Sequence, residues 1–183
     1  MKKQFPVIFL LSLTLSGCFI AKLHNKVFNP PDCSKPSPFS TVIITPFSTD
    51  DVLIEGITEG KEMTNIGSGL KFITTSMGET LKDRLVVYKK FEKISQDNAC
   101  AANAIKIDGK VIYFAHVHRK GFVALVRGSV ISCDTGEPLY KFDVKEDDNE
   151  LYGVPDKIAR EIANGIYDKL LCQSTDKINS QQK

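Results

Sequence analysis

The 183-residue sequence has little excess charge of either sign: 24 basic residues stand against 22 acidic ones. Two of the basic residues, Lys2 and Lys3, lie in an N-terminal segment that reads as removable, and without them the counts are equal. A balanced chain lacks the basic footprint of a nucleic-acid binder and has no electrostatic drive towards anionic lipid. No apolar run approaches the ~18 residues that mark a membrane-spanning helix. None of the five cysteines sits in a C-x-x-C pair, so the usual spacings for zinc and for thioredoxin-like redox chemistry are missing. Serine, histidine and acidic residues occur without a nucleophile elbow or a comparable arrangement. The expectation is a protein that is not an enzyme and takes no diffusible cofactor or metal.

What is there begins with a short address. Lys2 and Lys3 give a positive start, and Phe5 to Leu15 an apolar stretch. As a helix that stretch spans about 17 Å, well short of a ~30 Å hydrocarbon core. Residues 1–17 therefore read as a signal peptide. Leu15-Ser16-Gly17-Cys18 follows and looks like a bacterial lipobox, in which the cysteine thiol accepts diacylglycerol before cleavage. An ordinary secretory signal ending near a cysteine by chance leaves the fit of all four positions unexplained. The expected modification is diacylglycerol with a further N-linked acyl chain, of the palmitate type, on Cys18. Burial of acyl chain contributes ~0.8 kcal/mol per CH₂, so one chain binds marginally and two or more hold the protein to the membrane. Phe19 stands where aspartate favours retention in the inner membrane, which points to an outer-membrane lipoprotein facing the periplasm.

Residues 18–40 read as a tether. Asn29-Pro30-Pro31-Asp32 and Lys35-Pro36-Ser37-Pro38 remove backbone donors and favour an extended, semi-rigid course. Residues 173–183 read as a flexible polar tail. Between them residues 41–172 are enough to bury about two-thirds of the unfolded surface. Thr41 to Phe47 is a short apolar run ending near Pro46, typical of a buried strand. Ser48 to Asn65 is polar and reads as a long loop. Leu70, Ile73, Met77, Leu81, Leu85 and Tyr88 then recur at helical spacing. Phe91 to Ser95 suggests a second strand.

Asn103 to His118 suggests a third strand, with Ile105, Ile107, Val111, Tyr113, Ala115 and Val117 alternating onto one face. Phe122 to Cys133 and Pro138 to Val144 complete a meander through turns at Arg119-Lys120-Gly121 and Asp134-Thr135-Gly136-Glu137. Glu146 to Glu150 reads as a solvated acidic loop. Pro155 opens a last helix whose stripe is Ile158, Ile162, Ile166 and Leu170. The expected fold is α+β, a two-layer sandwich in the order β-α-β-β-β-β-α. Its sheet is mostly antiparallel, with both helices on one face.

Three segments carry a resemblance: the opening Val42-Ile43-Ile44-Thr45-Pro46-Phe47, the helix end Leu85-Val86-Val87-Tyr88-Lys89-Lys90-Phe91-Glu92-Lys93-Ile94, and Ser132-Cys133-Asp134-Thr135-Gly136-Glu137-Pro138-Leu139-Tyr140. Together they resemble a group of bacterial envelope lipoproteins that includes the N-terminal domain of TolB, LpoB and CsgG. The resemblance spans Thr41 to Leu171 and implies a fold and an envelope setting, with no functional residue carried over. The membrane-inserting hairpins of CsgG-like pores have no counterpart in the sequence.

Four cysteines remain beyond Cys18, an even number that fits two disulfides in an exported protein. The third and fourth strands bring Cys100 and Cys133 towards one end of a hairpin, which leaves Cys33 to join Cys172. His116 and His118 share a strand face, yet no third ligand is evident: His24 lies in the tether, and Arg119 and Lys120 repel a cation. Asp147, Asp148 and Glu150 lack the spacing of a calcium loop. Gly67-Ser68-Gly69, ahead of the helical stripe, reads as a cap rather than an anion cradle. Ile112 and Phe114, opposite the inferred core stripe, should be joined by Val123, Leu125 and Ile131 in an exposed apolar patch, a candidate partner surface. The expected function is a non-enzymatic, lipid-anchored envelope module that binds another envelope protein or assists assembly. The alternative is a periplasmic carrier or sensor of a small ligand or lipid.

Overall fold

The apolar run at the start of the domain forms β1 (Thr41–Ile44), and Val42, Ile43 and Ile44 are all buried. It lies inside a six-stranded sheet in the computed structural model, which describes residues 36–56, 61–96 and 99–172, with the backbone alone over 61–65. The sheet order is β3 (Lys93–Ser95), β1, β4 (Ala104–Val117), β5 (Gly121–Ser132) and β6 (Pro138–Asp148), and β2 (Leu53–Glu55) also pairs with β4. Two helices complete the fold, α1 (Lys61–Val87) and α2 (Gly153–Ile166), the second continuing into a π-helical turn at Tyr167–Leu171. All of the described residues belong to one unit, Asp32–Lys183. Signal peptide, Cys18, Cys33, most of the tether and the tail lie outside the described residues.

The α+β class is as expected, but the sheet is mixed rather than mostly antiparallel. β1 runs parallel to β3 and β4, and β2 runs parallel to β4, while β4–β5 and β5–β6 are antiparallel. The cause is α1, which carries the chain back to the end of the sheet from which β1 started; parallel neighbours need such a crossover. The strand count also differs, because residues 48–65 are not a plain loop. Ser48 bridges to Lys110, β2 pairs with Tyr113 to Ala115, and α1 already starts at Lys61. Residues 41–55 thus follow one edge of β4 along most of its length.

The helix stripes are the buried faces of α1 and α2, with one shift. Leu70, Ile73, Met77, Leu81, Leu85 and Tyr88 of α1 are all buried. So are Ile158, Ile162 and Ile166 of α2, with Ala159 and Ala163 beside them. Leu170 is only half-buried, and Leu171 takes the core position. A π turn inserts one residue into the helical repeat, which moves the stripe by one. Pro155 lies in the first turn of α2, where its missing N–H has no intrahelical partner to lose. The helices pack on one another, α2 rests on β5 and β6, and Arg84 pairs with Asp156 across them at 3.0 Å. They form a single layer on one sheet face.

At the centre of that face Gly109 and Gly128 stand directly opposite each other on β4 and β5. The Phe142 ring lies against Gly128, where a Cβ would collide with it and with the Asp108 carbonyl. A Cβ on Gly109 would come within 2.9 Å of the Phe47 ring. The glycine pair is the floor on which two buried phenylalanines sit.

Cys100 and Cys133 form a disulfide at the open end of the β4–β5 hairpin, with Cα atoms 5.3 Å apart. Cys172 is also disulfide-bonded, and the Cys33 half of the second expected bridge lies outside the described residues. Among the described residues no helix is long and apolar enough to cross a membrane.

Candidate functional surface

A bulge in β4 decides what the sheet presents. Its register against β5 shifts between Val111 and Tyr113, so the alternation of faces reverses there. Ile105, Ile107 and Val111 face the helices, and after the bulge Phe114 does, 2% exposed and beside Gly69 of α1. Tyr113, Ala115 and Val117 turn to the opposite face. The exposed apolar patch expected from strict alternation therefore does not form as read. Phe114 and Val123 are buried, and Ile112, Leu125 and Ile131 are half-buried.

The face away from the helices is instead charged along its middle. Arg127 and Asp143, cross-strand partners, are joined by guanidinium contacts of 2.9 and 2.6 Å. The Tyr113 hydroxyl donates to Glu55 at 2.9 Å, which raises the phenol above its ordinary range. Lys145 Nζ stands 5.6 Å from the centroid of the Tyr113 ring. Leu125 is paired with both Tyr113 and Lys145, so their contact spans it and accounts for its partial burial. Exposed pairs of this kind are each worth roughly 0–1 kcal/mol. They give the surface a pattern more than they give the fold stability.

The other sequence candidates separate. His116 is exposed and leans on Phe122, ring centroids 4.9 Å apart, while His118 falls past the end of β4 in the turn. No group of three potential metal ligands occurs among the described residues. Gly67-Ser68-Gly69 lies inside α1, not ahead of it, so it neither caps the helix nor cradles an anion. Gly69 instead lies in the helix layer facing Phe114 and Leu151, with room for a Cβ at ordinary contact distance of 3.8 Å.

The acidic run is no loop over Glu146 to Asp148, because these residues pair with Phe122 to Ala124 and lengthen β6. Asp148 then closes the turn into α2. Its carboxylate accepts the Glu150 N–H at 2.9 Å and meets Lys157 Nζ at 2.9 Å, which hold its pKa below the ordinary 3.8. A lowered carboxylate pKa stabilises the fold above the ordinary value and stops doing so as pH falls through the folded-state value. Asp148→Asn is therefore expected to destabilise the fold at neutral pH by on the order of 0.5–1 kcal/mol for so accessible a pair, seen as a lower melting temperature. In thermal melts across pH 2–7 that gap should close in the acid range, below about pH 4.

Two features escaped the sequence reading. Phe72 of α1 and Tyr152 before α2 form an exposed edge-to-face pair, centroids 6.4 Å apart. Phe72 is off the helical stripe, and Tyr152 falls between the acidic run and the last helix, so spacing singles out neither. A cleft of about 250 Å³ also opens between the end of β1 and α1, lined by residues that include Thr45, Phe47, Thr74 and Gln96. Nothing in residue spacing announces a gap between a strand end and a helix.

No family model matches the chain, and no curated protein matches it. Solved structures similar to it include three from bacteria. The PelC dodecamer from Paraburkholderia phytofirmans is 11% identical, covering 75% of this chain and 91% of its own, with a TM-score of 0.49. A hypothetical protein from Chlamydia trachomatis is 10% identical over 74% of this chain and 99% of its own, with a TM-score of 0.49. A Xanthomonas campestris protein of the DUF330 family is 8% identical over 83% of this chain and 92% of its own, with a TM-score of 0.44. None of these three is TolB, LpoB or CsgG.

Proposed function

We propose that the chain is a lipid-anchored bacterial envelope protein that works without catalysis, as a module that binds another envelope protein or assists its assembly. The observation that carries this reading is Leu15-Ser16-Gly17-Cys18 at the end of a short apolar stretch behind two lysines. Acylation there places the domain at a membrane surface, and Phe19 favours the outer membrane. The proline-rich segment that follows holds the domain away from the bilayer. Kinship with the TolB, LpoB and CsgG group belongs to this proposal and rests on the three sequence segments alone.

A small-ligand or lipid carrier is the second reading, and the cleft between β1 and α1 is the observation that favours it. One experiment addresses both. The tagged full-length chain is crosslinked in cells, purified, and examined by mass spectrometry for protein, for bound small molecules and for acyl groups on Cys18. A dominant envelope partner together with acylated Cys18 is the expected result. Unmodified Cys18 removes the anchor, and recovery of a small molecule without a partner protein transfers the proposal to the carrier.

A further inference from the structure

β6 is a sheet edge eleven residues long, and among the described residues no strand lies beyond it. Lys157 Nζ donates to the Asp147 carbonyl at 2.6 Å, but a strand edge of that length still presents a row of backbone donors and acceptors, which proteins ordinarily shield or use. Its charges are ordered. On the face away from the helices β6 carries Lys141, Asp143, Lys145 and Asp147, an alternation that inverts about Val144. All four are exposed. Directly opposite Lys141 and Asp147 on β5 stand Ser129 and Val123, neither of them charged.

We propose that β6 is a homodimer edge, on which a second copy of this chain docks antiparallel with its two-fold axis at Val144. In that register Lys141 meets Asp147 of the second copy and Asp143 meets Lys145, so the symmetric joint holds four opposite-charge pairs. Val144 meets itself, Phe142 meets Glu146, and Tyr140 meets Asp148, so no like charges face each other. Moving the axis one residue to Asp143 or Lys145 sets that residue against its own copy. The first shift also opposes Lys141 to Lys145, and the second Asp143 to Asp147. Pro138, which cannot donate to a ladder, falls outside the paired stretch. The joint is isologous, as a two-fold requires, and it makes one continuous sheet across two chains. It does not rest on the anchored-module reading: a dimer that captures no partner defeats that reading alone, and a monomer that captures one defeats this proposal alone.

The test is sedimentation equilibrium of the full-length chain in a nonionic detergent, at low salt and up to ~0.5 mM, since edge pairing alone gives a small interface. Wild type is expected to dimerise. Lys141→Asp and Asp147→Lys each turn two attractive cross-strand pairs into repulsive ones and should weaken the dimer about tenfold or more. The double variant restores opposite charges at both pairs and should recover wild-type association. Lys141→Ser, with no charge to repel, should fall between. Equal melting temperatures among the variants separate these effects from folding. A wild type that stays monomeric throughout overturns the proposal, and so does a dimer that the single variants leave unchanged or the double variant fails to restore.

Discussion

Phe114→Asp is expected to unfold the domain, whereas Leu125→Asp should leave it folded. The two positions look alike in sequence, both apolar in alternating strands, and strict alternation assigns them to one surface. The bulge after Val111 separates them. Phe114 is 2% exposed under the helix layer, next to Gly69 and 6.2 Å from the Phe122 ring. Truncating a buried phenylalanine costs about 3–5 kcal/mol, and a carboxylate left in the same cavity adds a desolvation cost of several kcal/mol more. Against a total stability of about 5–15 kcal/mol the sum is disabling.

Leu125 is half-buried beneath the Tyr113–Lys145 contact, and an aspartate there reaches solvent beside a lysine, at a cost nearer ~1 kcal/mol. Circular dichroism with urea titration of both variants decides the matter. A folded Phe114→Asp with near wild-type stability would mean that the side chain faces solvent and that the original alternation holds.

That contrast shows where the sequence was informative. Helix stripes repeat over several turns, about five from Leu70 to Tyr88 and roughly two to three from Ile158 to Ile166, so one misplaced residue leaves the rest in phase and both could be read without a structure. Strand faces have no such tolerance. One bulged residue exchanges every side chain beyond it, and no residue type around Ile112 signals a bulge. Parallel pairing of β1 follows from the strand–helix–strand order, whereas the antiparallel expectation follows from the three-strand meander, which covers only β4 to β6. β2 is only three residues long, set between Asp50-Asp51 and Gly56, and β6 gained Glu146 to Asp148 because pairing with β5 overrode their low strand propensity.

The candidate surface was less legible for the same reason. Its charged pairs, Arg127–Asp143 and Lys145–Tyr113–Glu55, join residues brought together by register across β2, β4, β5 and β6. Register is not printed in the order of residues.

Replacing both Cys100 and Cys133 by alanine is expected to remove about 3–4 kcal/mol of stability, from the loop-entropy relation applied to their separation. The bridge closes a loop of sequence separation 33 that contains the whole β4–β5 hairpin, the pair of strands at the centre of the sheet. Without it the hairpin keeps its backbone ladder but loses the covalent clamp at its open end. There Cys133 N–H still donates to the Ala104 carbonyl and Asn103 N–H to the Asp134 carboxylate.

Those two hydrogen bonds are each worth only about 1 kcal/mol net, so they do not replace the restriction that the bridge imposes on the unfolded chain. For a domain of this size the loss corresponds to roughly 10–15 °C in melting temperature. Calorimetry of the double-alanine variant measures it more cleanly than a reducing agent, because reduction would also open the disulfide at Cys172. A shift below about 3 °C would mean that the hairpin's own pairing already restricts the unfolded state. A large shift means that the fold draws a substantial part of its stability from a bond that persists in an oxidising compartment, and the same chain made without its N-terminal segment in a reducing cytoplasm should then melt at a lower temperature.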